Sequence, residues 1–334
     1  MVGGAASSPQ MRAPKAGRER AELLLGALAV ALLAVIALLV AFVFINAWPS
    51  FSHNGLAWFG SGGNVNLQIR AIFNSPANPA HYDYTIHAWP LIFGTILSTG
   101  LAVICGGVLA LLGAIFLVEF APPALRRLLR PSVRLLAGVP SVIYGLVGLL
   151  ALAPLINKYL VSASFKLAVA PVVEITGTGL LLAVVILTIM ITPIMLAIIA
   201  DALEAVPRSW VEGSAALGVN RWRTMWRISV HTIRPAIAAG MVLATARALG
   251  EAIALVMISG AYGFAPNPLD GFNFFLEPIY PLAAAIVNNS DGLFAVKPFP
   301  QTIYAFAAVL LVSAALLSFA GWAAKQPLRR YGIQ

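Results

Sequence analysis

The sequence predicts an all-α polytopic membrane protein of six transmembrane helices with both termini cytoplasmic. Three observations carry this. Of 334 residues 60% are hydrophobic and 10% charged, with a mean hydropathy of +0.90, whereas soluble domains are about one quarter charged. Six segments reach the ~20 apolar residues that a spanning helix needs: 23–47, 89–118, 135–156, 175–200, 235–260 and 301–324. The basic residues fall in alternate loops. Sixteen lysines and arginines precede span 1, follow span 2, lie between spans 4 and 5 or end the chain, while Arg70, Lys158, Lys166 and Lys297 fall in the opposite loops. The positive-inside rule places the sixteen in the cytoplasm. The net charge of +9 is therefore a topology signal, and the chain is expected to bind no nucleic acid.

In chain order, residues 1–21 are rich in small, basic and proline residues and are expected to be a disordered cytoplasmic tail. Residues 22–88 hold the first span, too long for a signal-peptide core, and an outer loop. Residues 89–324 form the transmembrane core, with a cytoplasmic loop at about 201–234, and 325–334 a second tail. Gly94, Gly106, Gly107 and Gly113 in span 2 permit close helix packing. In span 3, Gly138 and Pro140 could break the helix, so Pro140, Ser141 and Tyr144 are candidates for a pathway or a helix break. Thr188 and Thr192 in span 4 are expected to bond back to their own helix. The apolar stretch YPLAAAIVNN, at 280–289, is too short to span; it is either an interfacial helix or a re-entrant segment buried against protein.

The loop DALEAVPRSWVEGSAALGVNRWRTMWRISVHTIRP reads as a short helix opened by Pro207, stopped at Gly218, and followed by a basic helix. From the residues alone it is either a solvated interfacial loop, the reading composition favours, or a docking helix whose small residues let a partner approach, with Trp210 and Leu217 as apolar anchors. Span 5 contains the string RALGE. In a continuous helix Arg247 and Glu251, four apart, share a face. A charge in a span costs ~2.5–3.5 kcal/mol on insertion scales and is turned toward a cavity or a partner. The pair is thus either a structural ion pair or part of a substrate path, since a guanidinium fork suits oxyanion oxygens.

Glu212, Ala215, Gly218 and then Ile228 resemble the EAA loop of ABC import permeases, with Gly213 and Ser214 standing where that pattern has alanines and His231 where it has proline. HAWPLIFGTILSTG, LLAGVPSVIYGLVGL and GMVLATARALGEAIAL, together with that loop, resemble the PstC-type permease subunit of phosphate-specific ABC importers over about residues 85–324.

The resemblance implies the type I importer permease fold in a bacterial inner membrane. It implies Glu212, Ala215, Ala216, Leu217 and Gly218 as the ATPase-coupling segment, and Arg247 and Glu251 as substrate-pathway residues. Its partners would be a PstA-type second permease, PstB-type ATPase subunits, a PstS-type extracytoplasmic phosphate-binding protein, phosphate and membrane lipid. Glu251, able only to accept hydrogen bonds, would favour an anion that carries a proton over sulfate.

The chain has no G-x-x-x-x-G-K-[ST] phosphate loop and no H-E-x-x-H or Cys-x-x-Cys spacing. It is therefore expected to hold no cofactor or metal, with ATP and magnesium used by the partner ATPase. The alternatives left open are a permease for another oxyanion such as molybdate or sulfate, an intramembrane enzyme acting on lipid phosphates, and a scaffold.

Overall fold

The structure, a computed structural model, describes residues 15–75, 83–171, 174–295 and 297–329. The chain forms two units, residues 1–45 and 46–334. The first holds most of α1 (Lys15–Asn54). The helix begins within the stretch expected to be a disordered tail, where Lys, Arg, Glu and Ala are strong helix formers. Residues 1–14 and 330–334 of the two expected tails lie outside the described residues. Apolar residues lie all round α1 from 23 to 45, as a helix surrounded by lipid requires.

The core of the second unit is α3 (Trp89–Ile115) against α8 (Leu180–Glu204), flanked by α12 (Arg234–Leu249) and α15 (Phe299–Arg329). Gly106, Gly107 and Gly113 lie against Ile191, Met195 and Leu196 of α8, and the missing side chains bring the two backbones close enough for dispersion contacts to accumulate. Leu187, Met190, Ile191 and Met195 are accordingly fully buried. Thr192 bonds back to the Thr188 carbonyl at 2.6 Å, as expected, but Thr188 reaches across to the Ala102 carbonyl of α3 at 3.4 Å. The Thr188 hydroxyl thus joins two helices where a bond back to its own helix was expected.

Two of the six expected spans differ in kind. Residues 135–156 do not form one helix. A separate amphipathic helix α4 (Pro123–Ala137) ends at Gly138, and the span is α5 (Ser141–Val147) continued through a wide π turn into α6 (Ala153–Tyr159). Pro140 sets this break, because the residue before proline is driven out of the helical region. Residues 235–260 are also divided, into α12 and the short α13 (Ile253–Ile258) with Gly250–Ala252 between them. Among the described residues, five helices are long and apolar enough to cross a membrane, and a sixth arises if Arg221–Thr232 and Arg234–Leu249, bent by 64°, count as one.

At the basic end, arginines tie the elements together. Arg130 pairs with Glu204 and, at 3.5 Å, with Asp201, joining α4 to α8. Arg126 donates to the Val118 carbonyl, and Arg221 donates to the Glu119 carbonyl at 2.6 Å. At the opposite end residues 278–285 are buried against protein while Val287 and Asn288 are exposed, so most of YPLAAAIVNN follows the re-entrant reading and its last residues reach the surface. Leu282, Ala283, Ala284 and Ala285 of α14 (Leu282–Asn288) are all buried. Its backbone is satisfied by protein: Leu180 N–H donates to the Glu277 carbonyl, Ile279 N–H to Ser259, and Leu282 N–H to Thr95 Oγ1 at 2.8 Å. Irregular backbone at membrane depth is tolerated only with such partners.

Candidate functional site: a paired helix break and an exposed loop helix

The breaks before α5 and after α12 lie side by side. Gly145 of α5 is buried against α13, so closely that a Cβ there would stand 2.9 Å from Ala254 Cα. That approach aligns Pro140, Ser141 and Tyr144 with the Gly250–Ala252 segment. Pro140 caps the start of α5, Ser141 is its first residue, and Tyr144 Oη donates to the Leu136 carbonyl across the break at 2.9 Å. The Leu136 carbonyl also accepts the Val139 N–H at 3.3 Å, so the tyrosine adds a further donor that ties the two sides of the break together.

Arg247 and Glu251 do not share a helical face, contrary to the expectation from a continuous span. Gly250 ends α12, and Glu251 lies in the break. Its carboxylate is 8% exposed, and Oε1 accepts the Ala254 N–H at 3.0 Å, capping the first turn of α13. Arg247 sits in the last turn of α12, half-buried, within electrostatic reach of Tyr144. Its Nε is buried with no hydrogen-bond partner, and among the described residues no carboxylate lies within salt-bridge distance of it. The structural ion pair therefore does not form. What remains is a guanidinium held inside a bundle, beside two helix breaks, with donors unused.

The segment expected to couple to an ATPase forms α9 (Arg208–Ala216) with Leu217 and Gly218. Gly218 has φ +75°. Its N–H donates to Ala215 at 2.9 Å and the Val219 N–H to Ser214 at 3.2 Å, the paired bonds of a Schellman stop. The expected helix end is thus observed. Glu212, Ala215, Ala216, Leu217 and Gly218 are all exposed, Leu217 at 84%. Only Ser214 turns inward, its hydroxyl 2.7 Å from that of Thr224 in α10 (Arg221–Thr224). One face of α9 is therefore fixed to the bundle while the other presents small residues and an apolar leucine.

Sequence reasoning missed the capping role of Glu251 and the Tyr144–Leu136 bond. Gly250 inside an apolar run was the available signal for the first. The second links residues eight apart across a break and left no local signal.

Residues 106–326 match the family described as binding-protein-dependent transport system inner membrane component. The chain is 32% identical to the probable ABC transporter permease protein YqgH of Bacillus subtilis, over 75% of this chain and 74% of that one. It is 28% identical to the probable phosphate transport system permease protein PstC of Methanocaldococcus jannaschii, over 85% and 86%. Among solved structures it is similar to a chain of a bacterial alginate ABC transporter in complex with an alginate pentasaccharide-bound periplasmic protein. The TM-score is 0.55 at 15% identity, covering 93% of this chain and 96% of that one. The likeness shows a shared fold, the type I ABC importer permease. The enzyme reading falls with the family match, because the family is a non-catalytic membrane subunit. By sequence and by fold, the chain belongs to the family of binding-protein-dependent transport system inner membrane components, the multi-pass permease subunits of ABC importers.

Proposed function

We propose that the protein is the PstC-type permease subunit of an ATP-driven importer of inorganic phosphate. It would pair with a PstA-type permease, take phosphate from a PstS-type binding protein at its outer end, and be driven by a PstB-type ATPase that alone uses ATP and magnesium. The observation that carries the reading is Arg247, a half-buried guanidinium without a carboxylate partner among the described residues, at the point where α12 breaks. A planar fork of N–H donors in a site of reduced dielectric suits a tetrahedral oxyanion, and an unpaired cation in a bundle marks a solute path. The relative from Methanocaldococcus jannaschii that carries a phosphate-transport name supports the same solute.

Arg247 and Glu251 hold separate places in this reading. Arg247 attracts the anion as it passes the breaks. Glu251, anchored through one oxygen to Ala254, keeps a negative carboxylate near the path, which an anion bearing its own O–H can approach as a donor and sulfate cannot. The basic end faces the cytoplasm, and the exposed face of α9 enters a groove of the ATPase.

The test is uptake of radiolabelled phosphate into proteoliposomes holding this chain with its second permease, ATPase and binding protein. Uptake should require internal-face ATP and be competed by phosphate. ATP-dependent uptake of sulfate or molybdate with none of phosphate would replace the proposed solute by another oxyanion.

A further inference from the structure

A cavity of about 200 Å³ lies at the end of the bundle opposite the basic loops, lined among others by Asn66, Ile69, Arg70, Tyr280, Asn288 and Asn289. It is formed where α2 (Val65–Phe73) meets the chain leaving α13 and the two ends of the re-entrant segment. Its construction is specific. Asn66 Nδ2 donates to the Ala261 carbonyl at 2.8 Å, fixing the first turn of α2 to the chain that leaves α13. Asn289 Nδ2 donates to Tyr280 Oη at 3.1 Å and to the Ala285 carbonyl at 2.7 Å.

The hydrogen-bonding capacity left over defines a ligand. Tyr280 is 4% exposed, and its oxygen already accepts the Asn289 amide N–H. Its own O–H bonds to no acceptor among the described residues, although a buried hydroxyl normally finds one. Arg70 is the one ionised side chain lining the cavity, and no carboxylate lies within salt-bridge distance of it among the described residues. The free donors are thus a guanidinium and a phenol. The amide oxygens of the asparagines add acceptors. A net positive site offering both donors and acceptors fits an oxyanion that carries a proton, and the volume accommodates one with a few waters.

We propose that this cavity is a second anion site, which holds a protonated oxyanion at the mouth of the permease before it reaches Arg247. That the anion is inorganic phosphate rests on the transport reading above. Arg70 supplies the charge, Tyr280 an inward O–H, and the asparagine carbonyls accept the anion's own hydrogen, which sulfate lacks.

Equilibrium dialysis of radiolabelled inorganic phosphate against the purified importer, without its binding protein, tests the site. In an Arg247→Met background the complex should still bind phosphate. Adding Arg70→Gln or Tyr280→Phe should weaken that binding at least about tenfold, as loss of a hydrogen bond to a charged ligand does, and sulfate should compete poorly. Should Arg247→Met fail to assemble, the same two substitutions in the otherwise unaltered complex should remove one of two bound phosphates. Binding that neither substitution weakens, or no binding at all, overturns the second site. Uptake by the unaltered complex is read separately: phosphate uptake alongside unaffected binding rejects this cavity and leaves the transport reading standing. Failure of uptake together with binding lost in Arg70→Gln rejects transport and leaves the cavity.

Discussion

An arginine in the middle of a span needs something to answer its charge, and at Arg247 the protein supplies only part of it. The C-terminal end of α12 contributes through its dipole, ~0.3–1 kcal/mol, against an insertion cost of ~2.5–3.5 kcal/mol. Glu251 is engaged elsewhere, on the Ala254 N–H. The two residues should therefore behave independently. Arg247→Met and Glu251→Gln should change the melting of the purified complex additively, with a coupling below ~0.5 kcal/mol. Recovery of stability in the double variant would instead reveal an ion pair. Glu251→Gln keeps an oxygen that can accept the Ala254 N–H, so its melting should stay close to that of the unaltered protein. Glu251→Ala loses the cap and should cost about 1 kcal/mol. Both residues were legible in the sequence as charges in an apolar run. Their separation was not, since it depends on Gly250 ending the helix between them.

At the scale of elements, α9 owes its end to one glycine and its attachment to one hydroxyl pair. A Cβ at Gly218 would meet nothing within 4 Å, so Gly218→Ala does not clash. Its cost is the left-handed backbone, about 1 kcal/mol, and its readout is reduced co-purification of the ATPase with normal insertion of the permease. Ser214→Val leaves the Thr224 hydroxyl without its partner and should cost ~1–3 kcal/mol, loosening the same loop. The loop Asn267–Glu277 makes a pH prediction. Burial pushes the Glu277 carboxyl up to about 7, with Asp270 beside it adding to the rise and the Asn267 N–H opposing it. A carboxyl whose pKa is raised on folding is disfavoured when ionised. Stability from this loop is greatest below the ordinary carboxylate range and declines as pH rises toward about 7. Protection of loop amides, corrected for intrinsic exchange, should be higher at pH 5 than at pH 8, and Glu277→Gln should flatten the difference. The α9 stop could be read from sequence because a Schellman glycine is a local signal. The division of span 5 could not, because hydropathy alone treats ALGEAIAL as one apolar run.

Across the whole molecule, the pattern of apolar segments and basic loops was enough to reach the membrane class, and the EAA-like loop with the GVPSVIYG and RALGE strings was enough to reach the family. The re-entrant segment stayed open between two forms, because its burial depends on contacts with Thr95 and with residues near Gly179, far away in the chain. The cavity around Tyr280 left no sequence signal for the same reason. Orientation is testable with cysteines in a Cys105→Ala background. Leu217→Cys, at an 84% exposed site, should be shielded from an impermeant thiol reagent in intact cells, and Leu269→Cys, at a 91% exposed site, should be labelled. The reverse pattern would invert the permease. The central claim, that an imported phosphate passes the helix breaks at Arg247, is tested most directly by ATP-driven phosphate uptake in proteoliposomes, comparing the unaltered complex with Arg247→Lys at matched amounts of assembled complex. Lysine keeps the charge and loses the planar fork, so uptake should fall at least about tenfold. Uptake unchanged in Arg247→Lys, and unchanged again in Arg247→Met, would contradict the account.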